Sequence, residues 1–381
     1  MKSVVIIHHE PLTKKIARNF FIDELISKGL NVYYFDIHRI LFGRIKLVDE
    51  ITPDYNFSIQ SLEQAKELIR QYRDAFFIVE FELTVRSFKI LHYLKKYNCR
   101  GSTLGIHSSI NLSLKEKLLN IHNYGGNKVI PFLKRLVGIF TIAILKPFYP
   151  IKKNDIAFYC GMSSLKMFAD TPIKIPINSF DFEDFRLKQS VANEFAGKRY
   201  VVFLDENLPF HPDVSIWNKQ NLDPEKYFQC LNNLFDKIEK SLSLEVIVAL
   251  HPKSEYKDGV FLNRSTYKYR TAELVKNCEF VIAHDSLSMS FAVLNNKPLL
   301  FAYMSDFYRM GTTTMVLIKK FSLLLGCTML KIDEDFSMDT MPKYSHTGYL
   351  DYKYNYLTSK TCEEKSNSDI LYDIIISDIY V

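Results

Sequence analysis

Short apolar runs alternate with amphipathic stretches along this chain, and each alternation reads as a strand followed by a helix. SVVIIHH is the first strand. KKIARNFFIDELISKG reads as one helix closed by Gly29 in the position of a C-cap glycine, and LNVYYFDI starts directly after it. SLEQAKELIRQYR, with Ser61 placed to cap it, reads as a second helix. AFFIVEFEL is a near-continuous apolar strand, RSFKILHYLKKYN a helix, and STLGIHSS a further strand. Strands apolar on both faces, separated by helices, predict a parallel sheet covered on both sides.

The pattern breaks where Pro147, Pro150, Pro172 and Pro176 fall among polar turns, and then it restarts. KRYVVFL is a strand. DPEKYFQCLNNLFDKIEKSL is a helix with Asp223 as N-cap and Pro224 at its first position. LEVIVAL, TAELVKN, EFVIAH, SLSMSFAVLNN and KPLLFAY then alternate strand and helix. The expected organisation is a Rossmann-like α/β domain over 1–150 and a crossing over 151–197. A second Rossmann-like domain follows over 198–335, and a tail over 336–381 packs back on the first domain.

Composition narrows the class. With 47% hydrophobic and 24% charged residues in 381, the chain has the make-up of a folded globular protein. Its net charge of +6 is spread along the chain. That suits a surface meeting phosphates or anionic lipid and is too weak and diffuse to point to a nucleic-acid binder. The six cysteines have no zinc-ligand or redox spacing and read as reduced core thiols of a cytoplasmic protein. The N-terminal apolar run is too short for a signal peptide, and no run reaches the roughly 18–20 residues that span a bilayer. VIPFLKRLVGIFTIAILKPFYPIKK, 129–153, comes nearest. Its apolar centre between Lys134, Arg135, Lys146, Lys152 and Lys153 suits peripheral contact with an anionic membrane, and it reads also as a buried helix followed by a Pro-rich linker.

Candidate chemistry sits at three strand ends: FLDENLPFHPD, VIVALHPKSEY and FVIAHDSLSMS. In a parallel sheet, ligands bind beyond the carboxyl ends of the strands. Asp205, Glu206, His251, His284, Asp285, Ser286 and Ser288 should therefore share one rim, with Pro252 and Lys253 beside His251. A carboxylate there can take a proton from an attacking hydroxyl, and a histidine can hydrogen-bond or protonate a departing phosphate. Hydroxyls and free N–H groups at a helix start hold phosphate.

The order of an acid pair, a His-Pro after a strand and a Ser-rich strand-to-helix turn resembles the bacterial sialyltransferases. It is similar too to the capsule and lipopolysaccharide transferases that use CMP-activated keto-sugar acids. The resemblance covers roughly residues 200–300. It implies a GT-B fold of two Rossmann-like domains and a glycosyltransferase that needs no metal or cofactor. The CMP-sugar is the donor substrate, carrying a sialic, legionaminic, pseudaminic or Kdo-type sugar. The acceptor is a glycan or lipid-linked glycan hydroxyl. Carried over, Asp205 or Glu206 is the base and His251 the phosphate or acid residue. Pro252, Lys253, His284, Asp285, Ser286 and Ser288 form the phosphate side. Asn207 stands where that family has glycine, and the acid pair opens the second domain where some relatives carry it in the first. Glu10, Glu80, Glu82 and His107, at first-domain strand ends, are alternative bases.

Two other readings stand beside this one. The first is a GT-B enzyme with a UDP-sugar donor, either transferase or epimerase. The second is a non-catalytic assembly protein that keeps the fold. His8-His9 is a metal pair only by composition, and Asp333-Glu334-Asp335 reads as a surface turn. His211 and Asp213 read as turn formers or acceptor-site groups. No GxGxxG or GK[ST] element is present, which argues against a dinucleotide enzyme or a P-loop ATPase.

Overall fold

The computed structural model describes residues 2–43, 50–105, 129–189, 194–210, 222–308 and 314–377. His107, His211 and Asp213 lie outside the described residues. Two compact units emerge. One holds the described residues of 1–107, 129–180 and 358–381, and the other those of 181–357.

The first unit is built on a seven-stranded parallel sheet. Its strands are β1 Ser3–His8, β2 Asn31–Asp36, β3 Asn56–Ser58, β4 Phe76–Glu80, β5 Arg100–Gly105, β6 Ile156–Tyr159 and β7 Ile173–Pro176. Their spatial order is β3-β2-β1-β4-β5-β6-β7. Successive side chains of a strand face opposite ways, and β1 divides accordingly. Val4 and Ile6 join one apolar cluster with Leu25, Leu371 and Ile375, while Val5 and Ile7 join another with Ala65, Ile69, Ile90 and Leu94. Helices Ile22–Ser27 and Asn367–Ile376 thus cover one face, and Leu62–Gln71 and Phe88–Lys96 the other.

The closing helix is fastened by buried polar groups. Asn178 N–H donates to Asn367 Oδ1 at 2.9 Å, and Asn367 Nδ2 donates to the Asn178 carbonyl at 2.9 Å. Both residues are fully buried, so this reciprocal pairing avoids the cost of orphaned amides.

The second unit carries six parallel strands. They are β8 Tyr200–Leu204, β9 Glu245–Leu250, β10 Thr266–Lys268, β11 Val281–Ala283, β12 Leu299–Tyr303 and β13 Thr328–Lys331, in the order β10-β9-β8-β11-β12-β13. Asp223 caps the helix Pro224–Leu242 as its sequence predicts, accepting from Glu225 N–H at 3.0 Å. That helix buries Tyr227, Leu231, Leu234, Phe235 and Ile238, the i, i+4, i+7, i+8, i+11 face of an amphipathic helix.

Three elements depart from the sequence reading. The stretch expected as one helix before Gly29 is two, Lys14–Asn19 and Ile22–Ser27, because Phe21 takes a left-handed φ of +55° between them. Residues 151–197, read as a crossing, supply β6 and β7 to the first sheet, and the units divide at Phe180/Asp181. Proline at the end of β7 is compatible with an edge strand, where no further ladder bond is required. SLSMSFAVLNN forms a 3₁₀ turn, Leu287–Met289, and a short helix, Ser290–Leu294, in place of one continuous helix. Among the described residues no helix is long and apolar enough to cross a membrane.

Candidate functional site

In the second sheet the chain runs outward from β8 through β9 to β10, then returns to β11 on the other side of β8. The gap between β8 and β11 is therefore the topological switch point, where loops diverge and leave a crevice. Asp205 and Glu206 leave β8 there, and His284 and Asp285 leave β11.

The two acids work as clamps to opposite neighbours. Asp205, 5% exposed, accepts from His251 N–H at 3.0 Å, joining the ends of β8 and β9. It also accepts from Asn207 N–H at 2.9 Å and from the Tyr256 hydroxyl at 2.8 Å. Burial and the Asp205 charge drive the Tyr256 phenol far above its ordinary range, so it stays a donor. Glu206 reaches the other way. Its Oε1 accepts from His284 N–H at 3.2 Å and Asp285 N–H at 3.0 Å, joining β8 to β11 across the switch point. Burial, followed by the adjacent Asp285 carboxylate, holds the Glu206 carboxyl well above the usual carboxylate range.

These geometries correct several expectations. Asp205 is a poor general base, because both of its oxygens are committed to protein donors. His284 does not offer its ring to a phosphate. It is fully buried, its Nδ1–H donates to the Ala302 carbonyl at 2.7 Å, and its Nε2 accepts the Tyr227 hydroxyl at 2.9 Å. Burial pushes its pKa down to about 4, which fixes a neutral imidazole packed edge-on against Phe203 and Phe307. Asp285 places a carboxyl beside Glu206, so its side chain repels an approaching phosphate unless the two share a proton. Asp333 is a strand-end clamp as well. Burial, the largest single influence, opposes its ionisation, but hydrogen bonds from Ser305, whose N–H meets its Oδ2 at 2.9 Å, a backbone bond of its own and the Lys331 charge together lower its pKa.

Other predicted residues are placed to meet a ligand. His251 is half-buried, and its Nδ1 accepts the Lys253 N–H at 3.2 Å. A backbone N–H can only donate, so Nδ1 is the acceptor of this bond and the imidazole proton sits on Nε2. Pro252 and Lys253 are exposed beside it. Ser286 and Ser288 are half-buried in the loop and 3₁₀ turn after β11, and their hydroxyls make no hydrogen bond to any described residue.

Asn207 resolves the departure from glycine. Its φ is +52°, the left-handed conformation that glycine takes freely and that asparagine tolerates better than other side chains. The tight turn after the acid pair is therefore formed without glycine. Sequence reasoning missed Tyr256, Tyr227 and Asp181, which accepts from the Ser290 hydroxyl. Tyr227 was legible only as a core position of its helix. Nothing in the pattern marked the other two.

The first sheet has its own switch point, between β1 and β4, with His8, His9 and Glu10 at one strand end and Glu80 at the other. Glu10 supplies the third group that the pair His8-His9 lacked by composition. One ligand atom from each of the three lies within 4.8 Å of the others. His9 Nδ1 donates to the Glu80 carbonyl at 2.9 Å, which leaves its Nε2 as the acceptor, suited to a base or a metal ligand. Burial raises the Glu80 carboxyl to about 7, against the pull of bonds from Leu104 N–H and the Thr103 hydroxyl at 2.9 Å. Glu82 is exposed.

The same two-sheet architecture occurs in solved structures. A variant of the wall teichoic acid polymerase TagF superposes with a TM-score of 0.52 at 11% identity, over 98% of this chain and 88% of that one. The fold is GT-B. Methanocaldococcus jannaschii UDP-GlcNAc 2-epimerase, with UDP-GlcNAc and UDP bound, aligns at a TM-score of 0.45 and 12% identity over 99% of each chain. The spinosyn rhamnosyltransferase SpnG, with thymidine diphosphate bound, aligns at 0.45 and 10% over 99% of this chain and 95% of that one. No family model and no curated protein matches the chain.

Proposed function

We propose that this GT-B protein is a glycosyltransferase, taking a nucleotide-activated sugar whose phosphates lie along the C-terminal rim of the second sheet. One contrast carries the reading. Asp205, Glu206 and His284 are each bound into the protein, while the Ser286 and Ser288 hydroxyls at the switch point have no partner among the described residues. Polar groups that the fold leaves unsatisfied in a crevice are the ones that a ligand satisfies. His251, on the far side of β8, adds a donor. Strand spacing sets the ends of β9 and β11 about 10 Å apart, a span that a diphosphate and its flanking sugars can bridge. In this reading His251 Nε2–H and the serine hydroxyls stabilise charge on the departing phosphate.

The sequence resemblance favours a CMP-linked keto-acid donor, whereas two of the three solved structures named above hold UDP or thymidine diphosphate. We therefore place nucleoside-diphosphate sugars first. Thermal unfolding with CMP, CDP, UDP or TDP separates the donors, since a ligand at a hundred times its Kd adds about 2.7 kcal/mol of stability. Stabilisation by UDP or TDP, lost in His251→Ala, supports the proposal, and stabilisation by CMP alone restores the keto-acid donor. No response to any nucleotide removes the donor site and leaves the non-catalytic reading.

A further inference from the structure

Among the described helices, Val129–Leu145 turns several apolar side chains to solvent. Val137, Ile139, Phe140 and Ile144 are each more than half exposed, and Phe148 just beyond the helix is 76% exposed. The half-buried positions Gly138, Ile142 and Leu145 recur at helical spacing and form the inner face. A Cβ at Gly138 would stand 3.9 Å from the Val85 side chain, so the loop carrying Leu83 and Val85 lies against that face and extends the apolar surface.

The segment that follows the helix is tied to helix Phe88–Lys96. Tyr149 packs edge-on against His92 at 5.4 Å, His92 Nδ1 bonds the Pro150 carbonyl at 2.9 Å, and Lys152 N–H donates to the Leu91 carbonyl at 3.0 Å. The Thr141 hydroxyl within the helix is satisfied too, donating to the Val137 carbonyl at 2.8 Å.

We infer that this face is a membrane-docking surface, with the helix lying in the headgroup region of an anionic bilayer. Three observations select that occupant. Seventeen residues at about 1.5 Å each make a helix of about 25 Å, shorter than the roughly 30 Å hydrocarbon core, so it lies on the membrane and does not cross it. Residues 129–153 carry five basic side chains and no acidic one, and Lys146, which follows the helix directly, and Lys153 are exposed. Charge of one sign complements anionic headgroups. Phe148 and Tyr149 stand at the end of the stripe, where aromatic rings favour the interface. The inference is independent of the donor reading.

Flotation of the full chain with vesicles of three parts phosphatidylcholine to one part phosphatidylglycerol tests it, with pure phosphatidylcholine as the comparison. The wild type should float with the mixed vesicles and far less with the neutral ones. Phe140→Ser with Ile144→Ser should weaken binding about a hundredfold. Lys146→Gln with Lys153→Gln should weaken it about thirtyfold on mixed vesicles only. All four positions are exposed, so unfolding midpoints should not move. Failure of the wild type to float, or equal binding to both vesicles, overturns the inference. So does a dimer in light scattering that the serine pair dissociates without vesicle binding, because a second copy would then occupy the face.

Discussion

Glu80 offers a sharp test of the first switch point. Its carboxyl titrates near 4.5 in an unfolded chain and at about 7 in the folded one, with burial as the main cause. Between those values the folded state binds the additional proton, so stability falls as pH rises from about 4.5 to about 7 and then levels. A shift of this size corresponds to about 3 kcal/mol, a ceiling because solvent reaches part of the half-buried side chain. Glu80→Gln keeps an oxygen for the Thr103 hydroxyl and the Leu104 N–H but cannot ionise. Urea unfolding should show the variant within about 1 kcal/mol of wild type near pH 5 and more stable by about 2–3 kcal/mol near pH 8.5. An equal difference at both pH values, or a larger loss at high pH, would refute the burial argument.

Asp205→Ala should destabilise the second unit by about 2–4 kcal/mol, because the half-buried His251 N–H and Tyr256 hydroxyl, with the Asn207 N–H, lose their acceptor. An unchanged unfolding midpoint with abolished transfer would instead return Asp205 to a catalytic role. Asn207→Gly should be nearly neutral while Asn207→Val costs about 1–2 kcal/mol, as thermal unfolding would report, since φ is +52°. Equal costs would mean that the turn is not held in that conformation. His284 predicts an acid limb. With a folded value near 4 against 6.5 unfolded, stability is complete above about 6.5 and declines toward 4 as the unfolded state takes up the proton. His284→Phe should flatten that limb, and a limb that persists would assign it to other groups.

The apolar periodicity was enough to place most strands of both sheets, because strands buried on both faces leave continuous apolar runs that turns punctuate. It also placed the caps at Ser61 and Asp223, which are local, side chain to nearby backbone. That Asp205, Glu206, His251 and His284 share a rim followed from strand ends alone. What each does on that rim did not. Whether a strand-end acid faces solvent or clamps a neighbouring strand depends on which strand lies beside it, and that is set by an order, β9-β8-β11, in which chain neighbours and space neighbours differ. His284 looked equivalent to His251 in sequence. It became a core residue because Tyr227, 57 positions earlier, and the Ala302 carbonyl close around it. β6 and β7 escaped notice because proline and charge interrupt short strands near a sheet edge, where few ladder bonds are needed. The sequence thus determined the elements and their polar ends through local propensity and burial. The tertiary structure alone decided which of those ends are bound into the fold and which are left for a ligand, since that depends on partners far away in the chain.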